Sequence, residues 1–566
     1  MKMSAGQDRI PTTQYAVQLT GPGRLTLNRN KPLPPVGPYT ILARVEAVGL
    51  CFSDLKMLKQ FAAHPRKGEI VSGLPGEVLG ELAGYVPGDL PTVPGHEAVC
   101  RIVAVGGRVS SHKAGERVIV QTDYRSLRTA GSNAAFGYNF EGALQEYVAM
   151  DERVVVDAET GERFLIPAGE DLSASAACLV EPWACVEDSY ASPERRSPQS
   201  GGNMLVVAEL GHGIEGLSEA CGSGGKPAEV VAVCTAAQES DAARDLGVPV
   251  TRAADAAGLP AEAFDDIVYF GERKETIEAL NDKLAQRGIM NIVTRGRRIG
   301  HSVSVGVGRV HYGLTRWIGT HGHSAAESYR SIPATGEIRP GEKILVVGAA
   351  GPMGQMHVIR CITSGVPGIE ITAADVDDAR LAALERKAGP LAKARGVKFL
   401  VVNPQKEPSP GAASYVAIMA PVPSLVARAV NDGGEGCLVN VFAGIPAAAR
   451  EPVDLDAYIA KRCFMFGTSG SVVRDMKIVL AKIESGQLDT NTSVDAVCGM
   501  EGAIEALAAV ERRTLSGKIV VYPALRGLGL VPLADLRERA PSVAAKLNRD
   551  VWTKEAEEEL YRVFGR

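Results

Sequence analysis

The chain has 566 residues, more than one hydrophobic core holds, and its 45% apolar and 22% charged residues are those of a globular protein of about three domains. Net charge is −5 with acids and bases interspersed, so no basic stripe offers nucleic acid a track, and no apolar run reaches membrane-spanning length. Ten cysteines at irregular spacing, with no CxxC pair, exclude a disulfide scaffold and read mostly as small buried hydrophobes.

The start, MKMSAGQDRIPTTQY, has no apolar leader segment and reads as a cytoplasmic beginning. Residues 12–155 then read as short strands punctuated by Gly and Pro: TQYAVQLTG, TILARVEAVGL, AVCRIVAVG, ERVIVQT and QEYVAMD. From about 171 the pattern turns helical (DLSASAACLVEPWACVEDSY) and then alternates strand with helix. Two strand–glycine-turn–helix units follow, NMLVVAELGHGIEGLSEAC from Asn203 and EKILVVGAAGPMGQMHVIRCI from Glu342. Each continues in near-continuous apolar runs, the signature of parallel strands covered on both faces. Landmarks repeat at an offset of about 140 residues: VEDSY with AAESY, MLVVA with ILVVG, WIGTHG with MFGTSG. That self-similarity predicts tandem duplication. After about 485 a helix (GMEGAIEALAAVERRT), a strand (GKIVVYP) and a charged helix (TKEAEEELYRVFG) close the chain, the last with its acids on a solvated face.

The turn Gly348–Gly354 follows a buried strand and opens a helix. Gly348 permits the tight turn, Gly351 lets backbone approach a pyrophosphate, and Gly354 lets helix and strand pack closely. Pro352 and Met353 lie within that turn, and the Asp375–Leu381 run further on carries Arg380. Asp375, ending the next strand, is spaced to accept from a ribose diol and to repel a 2′-phosphate, which favours NAD over NADP. In the earlier unit, Gly211–Gly216 keeps its glycines. There Glu209 and Glu215 bring negative charge, and EVVAVCTAAQ lacks a terminal acid. That copy reads as degenerate and structural.

In the β-rich region stand Cys51 in GLCFSDLK, His96 and Glu97 in VPGHEAVC, and Glu181 in LVEPWAC. Thiolate, imidazole and carboxylate are ligand types of a catalytic Zn²⁺ with an open position. Singly each is an ordinary core or surface residue; jointly, ahead of a nucleotide turn, they carry weight.

Here the sequence resembles the zinc-dependent medium-chain dehydrogenases, particularly their sorbitol, polyol and threonine branch. The family's G-[IL]-C-x-[ST]-D stands as Gly49–Asp54, its P-G-H-E as Pro94–Glu97, its E-P as Glu181–Pro182, and its closing strand as GKIVVYP from Gly517. The resemblance covers residues about 12–190 and 325–523. It implies a GroES-like catalytic domain (12–190), an NAD-binding Rossmann-like unit (325–484) and a C-terminal segment (485–566) returning to the catalytic domain; the duplicated pattern adds a first, degenerate Rossmann-like unit (191–324) ahead of the NAD-binding one. The fold class is thus α/β with two tandem doubly wound parallel sheets. The resemblance further implies Cys51, His96 and either Glu97 or Glu181 on zinc, Ser53 as proton relay, and Asp54 orienting the site.

Four departures stand out: Lys56 where the family often has His, a long segment at 64–92 that could act as a lid, no cysteines for a second, structural zinc, and the extra α/β unit. The resemblance implies a small alcohol or polyol substrate and a homo-oligomer, dimer or tetramer. Two alternatives compete: a reductase of a sugar or sugar-phosphate ketone, for which Arg66 and Lys67 could meet phosphate, and a non-catalytic NAD scaffold or sensor. Arg309, His311 and Tyr312 read as packing, and His321 and His323 as a polar loop.

Overall fold

The computed structural model describes residues 10–408 and 411–565. The first nine residues, on which the reading of the chain's start largely rests, lie outside them. The chain forms two compact units, one built from the segments up to Glu187 and from Gly470 onward, the other from Asp188 to Ser469.

The first unit is the β-rich one. Strand β1 (Thr40–Gly49) leads into helix α1 (Phe52–Gln60), and β2 (Glu97–Val105) pairs antiparallel with β1. Eight strands share one sheet, and on it the C-terminal strand Lys518–Tyr522 lies beside β1. Residues 494–532 therefore complete a sheet begun near residue 40. Helix α2 (Val180–Ala191) starts in this unit and carries Glu181.

The 64–92 segment is tied down rather than free. Lys67 is fully buried, and its ammonium donates to the carbonyls of Val86 and Leu90. Tyr85 accepts from the Ile70 amide at 2.8 Å, and Asn139 Nδ2 donates to Gly68 O at 3.0 Å.

In the closing helix Lys554–Phe564 the acids Glu555 and Glu558 are exposed as expected, but Glu557 is not. Its Ala556, Glu557 and Leu560 are buried. Glu557 accepts from the amides of Ala174 (2.6 Å) and Ser175 (2.8 Å) and from the Tyr522 hydroxyl (2.8 Å). Its carboxylate meets the open amides at the start of the helix Ala174–Cys178, where the dipole favours negative charge. An acid on the expected wet face thus joins the two ends of the catalytic unit.

The second unit holds two six-stranded parallel sheets. The first is built from β3 (Asn203–Ala208), β4 (Glu229–Val233), β5 (Thr251–Arg252), β6 (Phe264–Phe270), β7 (Leu284–Val293) and, after β8 (Val303–Val305) and α3 (Val307–Tyr312), β9 (Arg316–Thr320). Helix α4 (Ala325–Arg330) leads on to the second sheet. That sheet holds β10 (Lys343–Val347), β11 (Glu370–Ala374), β12 (Lys398–Val402), β13 (Tyr415–Ile418), β14 (Leu438–Val441) and, after β15 (Glu451–Val453) and α6 (Leu455–Ala460), β16 (Phe464–Phe466), with α5 (Pro352–Thr363) following β10. Strand orders are β5-β4-β3-β6-β7-β9 and β12-β11-β10-β13-β14-β16. Numbered within each sheet, both read 3-2-1-4-5-6, the dinucleotide-fold order. One apolar core, with Tyr269, Met290 and Trp317 from one half and Val439, Tyr458 and Met465 from the other, runs through both.

Replacing Glu557 with Ala strands two buried amides and a buried hydroxyl. Stability should fall by about 2–3 kcal/mol, read as a lower denaturant midpoint at unchanged slope. An unchanged midpoint would mean that the helix does not hold the sheet.

Candidate metal and dinucleotide sites

Cys51 ends the turn after β1 and is the residue just before α1, while His96 and Glu97 arrive on the loop into β2 and its first residue. One carboxylate joins these stretches. Asp54 accepts from the Cys51 amide (3.0 Å), the Gly95 amide (3.2 Å) and His96 Nδ1 (3.1 Å). With Nδ1 held there, Nε2 is left to face a metal. Burial would raise the Asp54 carboxyl, but His96 and these hydrogen bonds outweigh it and hold it below its ordinary value.

Ligand atoms of Cys51, His96 and Glu97 lie within 4.8 Å of one another. Zinc–ligand bonds of about 2.0–2.3 Å close such a triangle with small side-chain movements. Burial disfavours a charged His96, yet Asp54 keeps its pKa well above the ordinary value, so metal binding there displaces a proton. One Glu97 oxygen is ion-paired with buried Lys518, and the other, Oε2, is buried without a hydrogen-bond partner. An orphaned buried carboxylate oxygen beside a thiol and an imidazole is the donor set that a metal cation satisfies.

Glu181 is buried on the first turn of α2, outside that triangle. Burial pushes its carboxyl up to about 7, with His96 opposing and Glu97 adding. One helical turn on, the Cys185 thiol donates to it at 3.8 Å. Ser53 Oγ lies 3.6 Å from Cys51 Sγ, and Lys56 is exposed on α1.

Sequence reasoning did not place Lys518, Cys185 or Tyr138 here. Lys518 stood only as part of a closing strand, and its role depends on a strand 421 residues from Glu97. The Tyr138 ring lies 5.9 Å from that of His96 and 5.0 Å from that of His64. Arg66 lies over Tyr138 and pairs with Asp123 at 2.9 Å. With Lys67 spent on backbone carbonyls and Arg66 on Asp123, neither is left as a ready phosphate anchor.

The second sheet carries the open glycine turn. Gly348 has φ +78, and a Cβ on Gly354 would meet Gly348 O at 2.3 Å, so both positions require glycine. Gly351 caps α5 with Pro352 at its first turn, leaving amides free for phosphate. Asp375, half-buried at the end of β11, accepts from Ala350 N at 3.0 Å. Met353 lies on the first turn of α5. The amide of Arg380 donates to Asp377, which caps the next helix.

The first sheet's turn is filled by its own side chains. Arg295 reaches Gly213 O (3.1 Å) and Glu215 (2.8 Å). Gln238 Nε2 donates to the carbonyls of Glu209 and His212, and His212 pairs with Glu272 at 2.8 Å. The helix that follows is only Leu217–Cys221, and after β4 Cys234 stands where the other copy has Asp375, with Thr235 capping the next helix.

Residues 37–160 match the alcohol dehydrogenase GroES-like domain. The chain is 26% identical over 249 residues to the uncharacterized protein YggP of Escherichia coli K12, covering 40% of this chain and 58% of that one. It is 30% identical over 236 residues to a probable alcohol dehydrogenase of Mycobacterium tuberculosis, covering 38% and 55%. The chain thus spans a little over half the length of these curated relatives. In fold it is similar to 2R,3R-butanediol dehydrogenase of Bacillus subtilis, with a TM-score of 0.52 at 14% identity over 90% of this chain and 100% of that one. The chain thus shares the alcohol dehydrogenase GroES-like domain over residues 37–160, and it carries two six-stranded parallel sheets beside it.

Replacing Asp54 with Asn keeps the side chain's shape but removes the charge that orients His96. Zinc affinity, measured by competition with a chromophoric chelator, should fall about 10- to 100-fold. Unaltered affinity would remove Asp54 from the site's support.

Proposed function

We propose that the chain is a zinc-dependent oxidoreductase that exchanges hydride between a secondary alcohol or polyol, or the corresponding ketone, and NAD. The observation that carries this reading is the convergence of Cys51, His96 and Glu97 from separate stretches of chain, with one buried Glu97 oxygen unpartnered.

Cys51 and His96 supply two metal ligands, and Glu97 Oε2 or Glu181 the third. Bound there, Zn²⁺ supplies a Lewis acid that makes an alcohol hydroxyl more acidic. Ser53 Oγ takes the hydroxyl proton and hands it toward solvent. Asp54 keeps the imidazole aimed. Lys518 offsets the Glu97 charge, so the site holds a second carboxylate, Glu181, without mutual expulsion. The Gly348–Gly354 turn and the first turn of α5 hold a pyrophosphate, and Asp375 accepts from the adenine-side ribose diol, which favours NAD over NADP. Among the described residues no helix is long and apolar enough to cross a membrane, and a cytoplasmic enzyme fits that.

The sugar-phosphate alternative loses its support with Arg66 and Lys67 already engaged. A scaffold without catalysis has no use for an oriented His96 beside an unpartnered carboxylate.

Purified chain should hold about one zinc per chain by plasma mass spectrometry, and should form NADH with at least one member of a polyol panel. Cys51→Ala should lose both. A Cys51→Ala protein that turns over at the original rate without zinc would overturn the reading. Zinc content of Glu97→Gln and Glu181→Gln assigns the third ligand, as the variant that loses the metal. Asp375→Ser should shift the NAD/NADP preference by tenfold or more, about 1.4 kcal/mol; an unmoved ratio would place cofactor selection elsewhere.

A further inference from the structure

The two copies in the second unit are not strung side by side. They face each other across a local two-fold. From β8 to β9 and from β15 to β16 the sequences correspond at a constant spacing of 148 positions, so that Val305 answers to Val453, His311 to Ile459, Gly319 to Gly467 and Gly322 to Gly470. Strands β8 and β15 pair antiparallel with Val303 on Val453, Ser304 on Pro452 and Val305 on Glu451. In that register Ser304 pairs with its own counterpart, and Val303 and Val305 pair with each other's. Only a two-fold running through the Ser304–Pro452 pair produces such an exchange.

The packing repeats the exchange. A Cβ on Gly319 would lie 2.8 Å from the Ile459 side chain. A Cβ on Gly467 would lie 3.1 Å from His311 Cα. Each copy's last strand therefore needs a glycine at the same place because the other copy's helix, α6 or α3, crosses it there. The helices even end alike, on Leu314 at φ +54 and Arg462 at φ +53. Strands β9 and β16, the last of each sheet, lie beside one another. The Tyr458 hydroxyl bridges them, donating to Trp317 O at 2.7 Å and accepting from the Met465 amide at 2.9 Å. Arg316 adds a bond to Gly467 O at 3.1 Å.

The leading helices are crossed as well. Ser328 of α4 bonds Asn291 on β7 of the first sheet at 2.6 Å. Ser189, at the end of α2, accepts from Asn440 on β14 of the second sheet at 3.1 Å. The helix that precedes the first copy covers the second, and the helix between the copies covers the first.

We infer that the first copy is a resident partner subunit, which occupies within one chain the place a second cofactor unit would take across an isologous two-fold. It closes the edge strand β16, which as an open edge would invite another chain. Its own turn is sealed by Arg295, Gln238 and Glu209, so the pair carries one dinucleotide site. The nucleotide count rests on the proposed binding of NAD at Gly348–Gly354; the seam does not.

The test is made on the full chain. Tyr458→Phe removes the bridge without adding bulk. Hydrogen exchange followed by mass spectrometry should show β9 and β16 losing protection together, and a loss confined to β16 and its own sheet would overturn the inference. Gly319→Glu drives a charge into α6 and opens both edges. Its sedimentation coefficient should rise with concentration where the parent's does not, and a folded Gly319→Glu chain that sediments like the parent would overturn it. Calorimetric titration with NADH should give one site per chain, and two sites would overturn the sealed-copy assignment. No binding at all would sink the cofactor reading while the exchange result still decides the seam.

Discussion

Asp54 is the point on which the catalytic unit turns. Its carboxylate ends three hydrogen bonds, from the Cys51 amide, the Gly95 amide and the His96 ring, and is itself buried. A buried carboxylate survives only when its charge is met, and here it is met by groups from two loops more than 40 residues apart in the chain. The bonds that make Asp54 tolerable are the ones that bring a thiol and an imidazole together. Site formation and loop closure are thus one event. A substitution there costs fold and function through the same atoms.

The second buried charge system works on a longer lever. Glu97 would repel Glu181 in a low-dielectric site, and Lys518 arrives from the last strand of the sheet to offset it. The C-terminal segment therefore does more than finish the sheet. Its strand brings the cation, and its final helix brings Glu557 to the amides that begin the helix Ala174–Cys178. Segments from before and after the parallel sheets are needed for these buried charges to be met, which gives a reason for the sheets to be inserted into the β-rich unit rather than appended.

Legibility in the sequence tracks the range of the physics. Glycine turns, helix starts and period-two strands are decided within a few residues, so the strand–turn–helix at Gly348–Gly354 and the strand pattern were legible. The duplication was legible too, because repeated landmarks need no geometry. Lys518, Cys185 and Tyr138 were not, since each acts on partners set by tertiary contact. Lys67 and Glu557 were misread for the same reason. A lysine in a loop and an acid in a charged helix look solvated until the carbonyls or amides that receive them are known. In the earlier of the two parallel sheets, Glu209 and Glu215 stand at a turn that other side chains fill. The residues that fill it, Arg295 and Gln238, come from a later strand end and a later helix.

The relation between the copies explains why the degenerate one persists. A copy that only filled space could drift at its edge strand as freely as at its glycine turn. Here the two features diverge: the turn has lost its open amides, while the edge keeps Gly319, the helix that crosses Gly467, and the antiparallel partner of β15. Those are the groups that a two-fold seam demands, and each has its counterpart in the intact copy. A chain with its partner built in also needs no second chain to close that edge, so the local concentration of the partner no longer depends on expression level. The asymmetry between the copies is then a division of labour, with one sheet presenting an open glycine turn and the other holding its edge.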